Sequence, residues 1–99
     1  MNAGAPATGL LDTMVRPTIG GGFRLQWEPA QEAHVLLYPE GMVKLNQSAA
    51  AILTRCDGFR TVAHIVTDLE RTYAISGLTA DVCAFVAMAV ERKWLELHP

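Results

Sequence analysis

The chain's imidazoles and thiols are His34, His64 and His98 with Cys56 and Cys83, and these are the groups with which it could hold a soft metal or run nucleophilic catalysis. A zinc site needs four converging ligands, or three and a water, with a second shell behind them. His34 falls on an expected strand, His64 on an expected helix and His98 beside the last residue, and none shares a ligand spacing with either cysteine. Cys56 and His64 could be drawn as a thiolate–imidazole pair. Cys56, however, lies on the apolar stripe of its helix, where a thiol stays protonated and inert, and no third group orients the pair. The acidic pairs Asp68/Glu70 and Glu91/Glu96 fall mainly on solvated faces or in the tail. Gly20-Gly21-Gly22 leads into a strand rather than a helix, so neither a phosphate loop nor a dinucleotide fingerprint is present. No catalytic residue, metal site or cofactor is expected.

The bulk properties point the same way. Ninety-nine residues make one domain. Apolar residues make up 51% of the chain and charged ones 18%, against roughly 25% charged in an ordinary domain. That balance excludes disorder and fits either apolar surface left for a partner or a well-filled small core. A net charge of −2 and a pI near 5.8 give no general attraction to nucleic acid or acidic lipid. Two cysteines, both in apolar-periodic segments, make small core residues rather than a disulfide framework. No apolar run is long enough for a membrane helix. The start of the chain lacks the basic and apolar regions of a signal peptide, and a cytoplasmic location is the expectation by elimination.

The elements follow from punctuation and period. Met1 to Gly22 reads as an irregular arm, broken by Gly4, Pro6, Gly9, Pro17 and the triple glycine, with Leu10, Leu11, Met14 and Val15 as a short apolar patch. Residues 23–99 form the domain proper. Phe23 to Glu28 alternates, placing Phe23, Leu25 and Trp27 toward the core. Ala33 to Tyr38 is a more apolar, central strand, and after the Pro39-Glu40-Gly41 turn a third strand runs from Met42 to Leu45. Asn46 is placed to cap a first helix carrying Ala49, Ile52, Leu53 and Cys56, which Asp57-Gly58 stops. Thr61 caps a second, with Val62, Ile65, Val66, Leu69 and Tyr73 inward. Thr79 opens a third, with Val82, Phe85, Val86, Ala89 and Val90 inward; Trp94 and Leu97 fall in an apolar tail. The order is α+β: a three-stranded antiparallel sheet followed by three helices, the arrangement of a winged helix-turn-helix.

Arg24-Leu25-Gln26-Trp27-Glu28, the run Leu36-Leu37-Tyr38-Pro39-Glu40-Gly41-Met42-Val43-Lys44-Leu45-Asn46, then Ile52-Leu53 and Asp57-Gly58 closely resemble the PqqD family. The likeness covers about Phe23 to Leu97 and is sharpest over Leu37 to Asn46. One departure stands out: Arg92-Lys93-Trp94 occupies a helix end where the family pattern calls for glycine. The resemblance implies a winged-helix-like peptide-recognition module that binds the ribosomal peptide PqqA. It further implies presentation to PqqE, a radical SAM enzyme with iron–sulfur clusters that cross-links a glutamate and a tyrosine of that peptide. In related domains the peptide lies as an added strand along the third strand, beside the third helix.

On that basis the expected peptide site is Met42, Val43, Lys44 and Leu45 on an edge strand with intact N–H donors, floored by Val82, Phe85, Val86 and Ala89. Alternation puts Val43 and Leu45 on one face and Met42 and Lys44 on the other, so Lys44 can meet an acidic group. A winged-helix DNA binder is the alternative from another class, but the third helix sets Asp81 and Glu91 against Arg92 and Lys93 and shows no basic face for phosphates. A purely structural adaptor is the other alternative. The edge strand and the arm also invite a homodimer.

Overall fold

Residues 11–99 are described by a computed structural model, in which β1 (Arg16–Ile19), β2 (Arg24–Glu28), β3 (Ala33–Tyr38) and β4 (Gly41–Lys44) precede the helices. These are α1 (Gln47–Leu53), α2 (Val62–Tyr73) and α3 (Thr79–Glu91), followed by β5 (Leu95–His98). The expected meander is present, with strand order β2-β3-β4. Arg24 lies opposite Leu37 and Glu28 opposite Ala33; Val35 lies opposite Lys44 and Tyr38 opposite Gly41. Period-two alternation then sorts the side chains. Leu25, Leu36, Val43 and Leu45 face the helices and join the core. Arg24, Gln26, Val35, Met42 and Lys44 take the opposite face. Trp27 has the inward parity but sits at the sheet's end against His34, and it remains half exposed.

The caps explain where the helices begin. Asn46 Oδ1 accepts from the Ala49 N–H at 2.8 Å, and Thr61 Oγ1 accepts from the His64 N–H at 3.1 Å, each satisfying a donor the first turn leaves free. Thr79 opens α3 without capping it. The Leu78 N–H donates instead to Glu70 Oε2 at 3.0 Å, which ties the α2–α3 connection back onto α2. Helix α1 is shorter than expected: it ends at Leu53 with Thr54 as cap, so Cys56 lies beyond it. Asp57 then turns the chain by accepting the N–H groups of Phe59 and Arg60, with Gly58 at φ 83°. Inside, Val62, Ile65, Val66 and Leu69 of α2 meet Val82, Val86 and Ala89 of α3. Tyr73, expected inward, is half exposed at the end of α2.

The main departure from the sequence reading is in the arm and the tail. Arg16–Ile19 is a strand, paired antiparallel with Leu95–His98 within the same chain: Arg16 faces His98 and Ile19 faces Leu95. The segment before it is a strap over the start of α2. The Val62 N–H donates to the Val15 carbonyl at 3.0 Å and the Ala63 N–H to that of Thr13 at 2.9 Å, so main-chain oxygens satisfy α2's first-turn donors. Pro17 is buried, Leu11 and Val15 pack on the core, and Met14 is exposed. Leu10 and the residues before it lie outside the described range. A four-residue strand containing proline shows no alternation, and its partner is nearly eighty positions away, so local pattern could not reveal it.

Two backbone positions close this second sheet. The Gly20 N–H donates to the Trp94 carbonyl at 2.8 Å, and a Cβ on Gly20 would stand 2.2 Å from the Lys93 carbonyl oxygen. Lys93 itself has φ 69°, the left-handed conformation that glycine adopts after a helix. This is the helix end at which glycine was the expectation, and here a lysine takes the same shape under strain. The two glycine exchanges should therefore act in opposite directions. Gly20→Ala should lower unfolding free energy by about 1–3 kcal/mol through backbone overlap. Lys93→Gly should raise it by up to about 1 kcal/mol through relieved strain. Urea denaturation of both variants is the check.

Candidate functional site

The Leu45 N–H donates to the His34 carbonyl at 3.0 Å, and this bond fixes which way β4 points its polar groups. In an antiparallel ladder, opposed residues alternate between exchanging both main-chain bonds and exchanging none. With His34 and Leu45 a bonded pair, Leu36–Val43 and Tyr38–Gly41 are bonded pairs too, on the register above. Met42 and Lys44 therefore turn their N–H and C=O groups away from β3. Among the described residues no strand lies beyond β4, so two residues present free donors and acceptors along that margin. β2 is the sheet's other margin. β4 differs from it in running directly through Asn46 into α1.

Past Asn46 the margin opens into a cavity of about 740 Å³, between the start of α1, the end of α2 and the first turns of α3. Its apolar wall is Ile52, Leu69, Leu78, Val82 and Phe85, and Tyr73 and Ile75 stand half exposed at its mouth. Asn46, Gln47 and Ser48 supply neutral polar groups at the rim, and Asp81 is the one charged side chain among the described residues lining it. The strand that turns Met42 and Lys44 outward thus leads, through Asn46, to a hollow large enough for bulky apolar side chains.

The eight residues expected at the site divide. Met42 and Lys44 are exposed on the face away from the helices; Val43 is half buried and Leu45 buried on the helix side. Val82 and Phe85 line the cavity. Val86 and Ala89 do not: both are at 0% exposure in the core, where α3 packs against the rest of the fold. The reading of Ala89 as the floor of a cleft is therefore corrected. Small size served close packing, not an opening. Tyr73, Ile75 and Leu78 line the cavity without being among the eight expected residues. Tyr73 fits the helical period as core, whereas Ile75 and Leu78 carried a signal, being apolar residues in a connection that solvent should favour as polar.

Among the described residues lining the groove there is no histidine or cysteine. Burial, reinforced by Asp57, pushes the Cys56 thiol up to about 12, and burial also raises Cys83. Among the described residues no cluster of histidine, cysteine, aspartate and glutamate is placed to hold a metal ion. A second hollow of about 540 Å³ lies on the other side of α1. There Arg55 donates to Asp68 Oδ2 at 2.6 Å and to the Ala51 carbonyl at 2.8 Å. This contact braces α1 to α2 and holds the Asp68 carboxyl below its ordinary range, with the hydrogen bond from Arg55 as the leading cause.

A small α+β domain of winged-helix-like build, with one open strand margin leading into an apolar groove, is the class these features define. Comparison with known proteins narrows it. The family model described as Coenzyme PQQ synthesis protein D (PqqD) matches residues 33–95, from β3 to the start of β5. A relative from Stutzerimonas stutzeri (strain A1501), named PqqA binding protein, is 60% identical over 83 residues, covering 83% of this chain and 90% of its own. One of the same name from Klebsiella pneumoniae is 55% identical over 75 residues, or 75% of this chain and 82% of its own. Among solved structures, the chain is similar to the PqqD truncation of Methylobacterium extorquens PqqCD. The two are 33% identical, with a TM-score of 0.68 over 83% of this chain and 88% of that one. That solution NMR structure represents a functional, stand-alone recognition element for ribosomally synthesized and post-translationally modified peptides. The chain belongs to the PqqD family.

Two outcomes test the site's electrostatics. Native protein at pH 8 should react with a thiol reagent far more slowly than urea-unfolded protein, since neither cysteine ionises while buried; labelling of both at equal rates would contradict their burial. Asp68 titrates below its unfolded value, so its stabilising pair is complete above the ordinary carboxylate range and is lost as pH falls through the lowered value. Asp68→Asn should therefore be less stable than wild type at pH 7, with the gap closing under acid when both are unfolded by denaturant.

Proposed function

We propose that this chain is a peptide chaperone. It captures the precursor peptide PqqA as a strand added to β4 and presents it to the radical SAM enzyme PqqE during pyrroloquinoline quinone biosynthesis. The observation that carries this reading is the outward-facing pair Met42 and Lys44 beside the apolar cavity. An extended peptide gains main-chain bonds from such a margin and specificity from the pockets next to it. The relatives' name, PqqA binding protein, supports the choice of guest. The family resemblance supports PqqE as recipient and the cytoplasm, where the peptide is made, as location. The chain contributes binding and orientation, and the radical chemistry belongs to the partner enzyme.

The third helix has no basic side chain before Arg92, which argues against a phosphate-reading role. Strand addition should also respond only modestly to added salt, unlike binding to DNA. Titration of the full chain with synthetic PqqA, followed by amide chemical shifts, should move Met42, Lys44 and Phe85 together. Shifts that appear only after PqqE is added would replace this reading with that of a structural adaptor.

Proline substitution tests the ladder parity. Lys44→Pro removes an outward donor, which an edge strand tolerates. It should leave the protein folded and weaken PqqA binding by roughly tenfold, the order expected for a lost main-chain bond and the misfit beside it. Val43→Pro instead deletes a bond to Leu36 and should chiefly lower stability. The reverse pattern would mean that β4 presents the other pair.

A further inference from the structure

We infer that the guest segment is charge-coded: an acidic residue lies opposite Lys44, a basic residue lies against Asp81, and bulky apolar side chains between them fill the cavity. This rests on the strand-addition reading and specifies which segment of the guest β4 selects, and in which register.

Parity leads to the first half. Met42 and Lys44 are the β4 residues whose main-chain groups face outward, so a guest residue hydrogen-bonded opposite Lys44 places its side chain on Lys44's face. Its neighbours on either side point toward the helices, alongside Val43 and the cavity that begins at Asn46. Lys44 is exposed there, and among the described residues it takes part in no ion pair. Its cross-strand neighbour is Val35, and the next residue across is Gln26. The ion pairs among the described residues are Arg55–Asp68 and Arg60–Asp57, and Lys44 takes part in neither.

The second half comes from the cavity. Its wall is apolar, its polar rim is neutral, and its one charged lining side chain, Asp81, is likewise outside those ion pairs. A guest that leaves the end of β4 and passes over this hollow meets a positive charge first and a negative one last, with apolar surface between. Such charges add little raw affinity at an exposed margin. They discriminate instead. A margin with only two outward-facing residues specifies register weakly, and a slip of two residues keeps every main-chain bond available. Opposite charges at the two ends penalise that slip, which is the use interfaces make of electrostatic complementarity.

The test uses the full chain and the synthetic precursor peptide at low ionic strength. Lys44→Glu and Asp81→Lys should each weaken binding about two- to fivefold, and the loss should shrink at high salt. Reversing one acidic residue of the peptide should restore affinity to the Lys44→Glu protein alone, and reversing one basic residue should restore it to the Asp81→Lys protein alone. Lys44→Gln and Asp81→Asn, checked for folding by circular dichroism, should show the intermediate loss without the rescue. If wild type binds the peptide but both reversals leave affinity unchanged, or if no peptide reversal rescues its protein partner, the charge code is wrong and strand addition survives. If wild type itself does not bind, both fall together.

Discussion

Everything along the outer margin of β4 depends on the bond from the Leu45 N–H to the His34 carbonyl. It sets the ladder's phase, and the phase decides which residues of β4 spend their hydrogen bonds on β3. Gly41 and Val43 are committed inward, while Met42 and Lys44 are left facing out. A shift by one residue would exchange these roles and would also turn Val43 and Leu45 away from the helices. The core therefore protects the phase, because burying Leu36 and Leu45 is compatible with only one register. Hydrophobic packing on one face and hydrogen-bonding capacity along the edge are the same constraint seen from two directions.

An open margin is a hazard in most proteins, since it templates unwanted pairing. This chain keeps it short: two outward-facing residues, followed at once by the Asn46 cap and α1. The remaining fold is closed around it. β1 and β5 pair with each other, the strap from Thr13 to Val15 covers the start of α2, and Gly20 locks against the Lys93–Trp94 backbone. Along β4, the unsatisfied capacity lies at the end that leads into α1, next to this tied-down frame. A guest strand added to β4, as proposed, would find its partner groups already positioned, which reduces the ordering cost on the protein's side.

The groove is built by the same economy. α2 and α3 pack tightly through Ile65, Val66, Val86 and Ala89. At the α2–α3 connection, Glu70 accepts from the Leu78 N–H and ties the linker back onto α2. Ile52, Leu69 and Phe85 are left lining a hollow rather than filling one. The reactive-looking side chains take no part in this. Cys56 and Cys83 are packing residues held protonated by burial, and Arg55 with Asp68 braces α1 on its opposite flank.

Period and punctuation in the sequence determined the meander, the three helices, the caps at Asn46 and Thr61, and the two faces of β4, because each is a local consequence of side-chain spacing. The family was legible in the same residues, from Leu37 to Asn46. Three things were settled only by the tertiary structure. β1 exists because Leu95–His98 is there to pair with it, a contact across almost the whole chain that no local pattern encodes. Ala89 and Val86 are core while Tyr73, Ile75 and Leu78 line the opening, because depth depends on how the helices and their connection pack together and not on sequence period alone. The outward pair is Met42 and Lys44 because ladder phase is a relation between two strands, and one strand's sequence cannot state it.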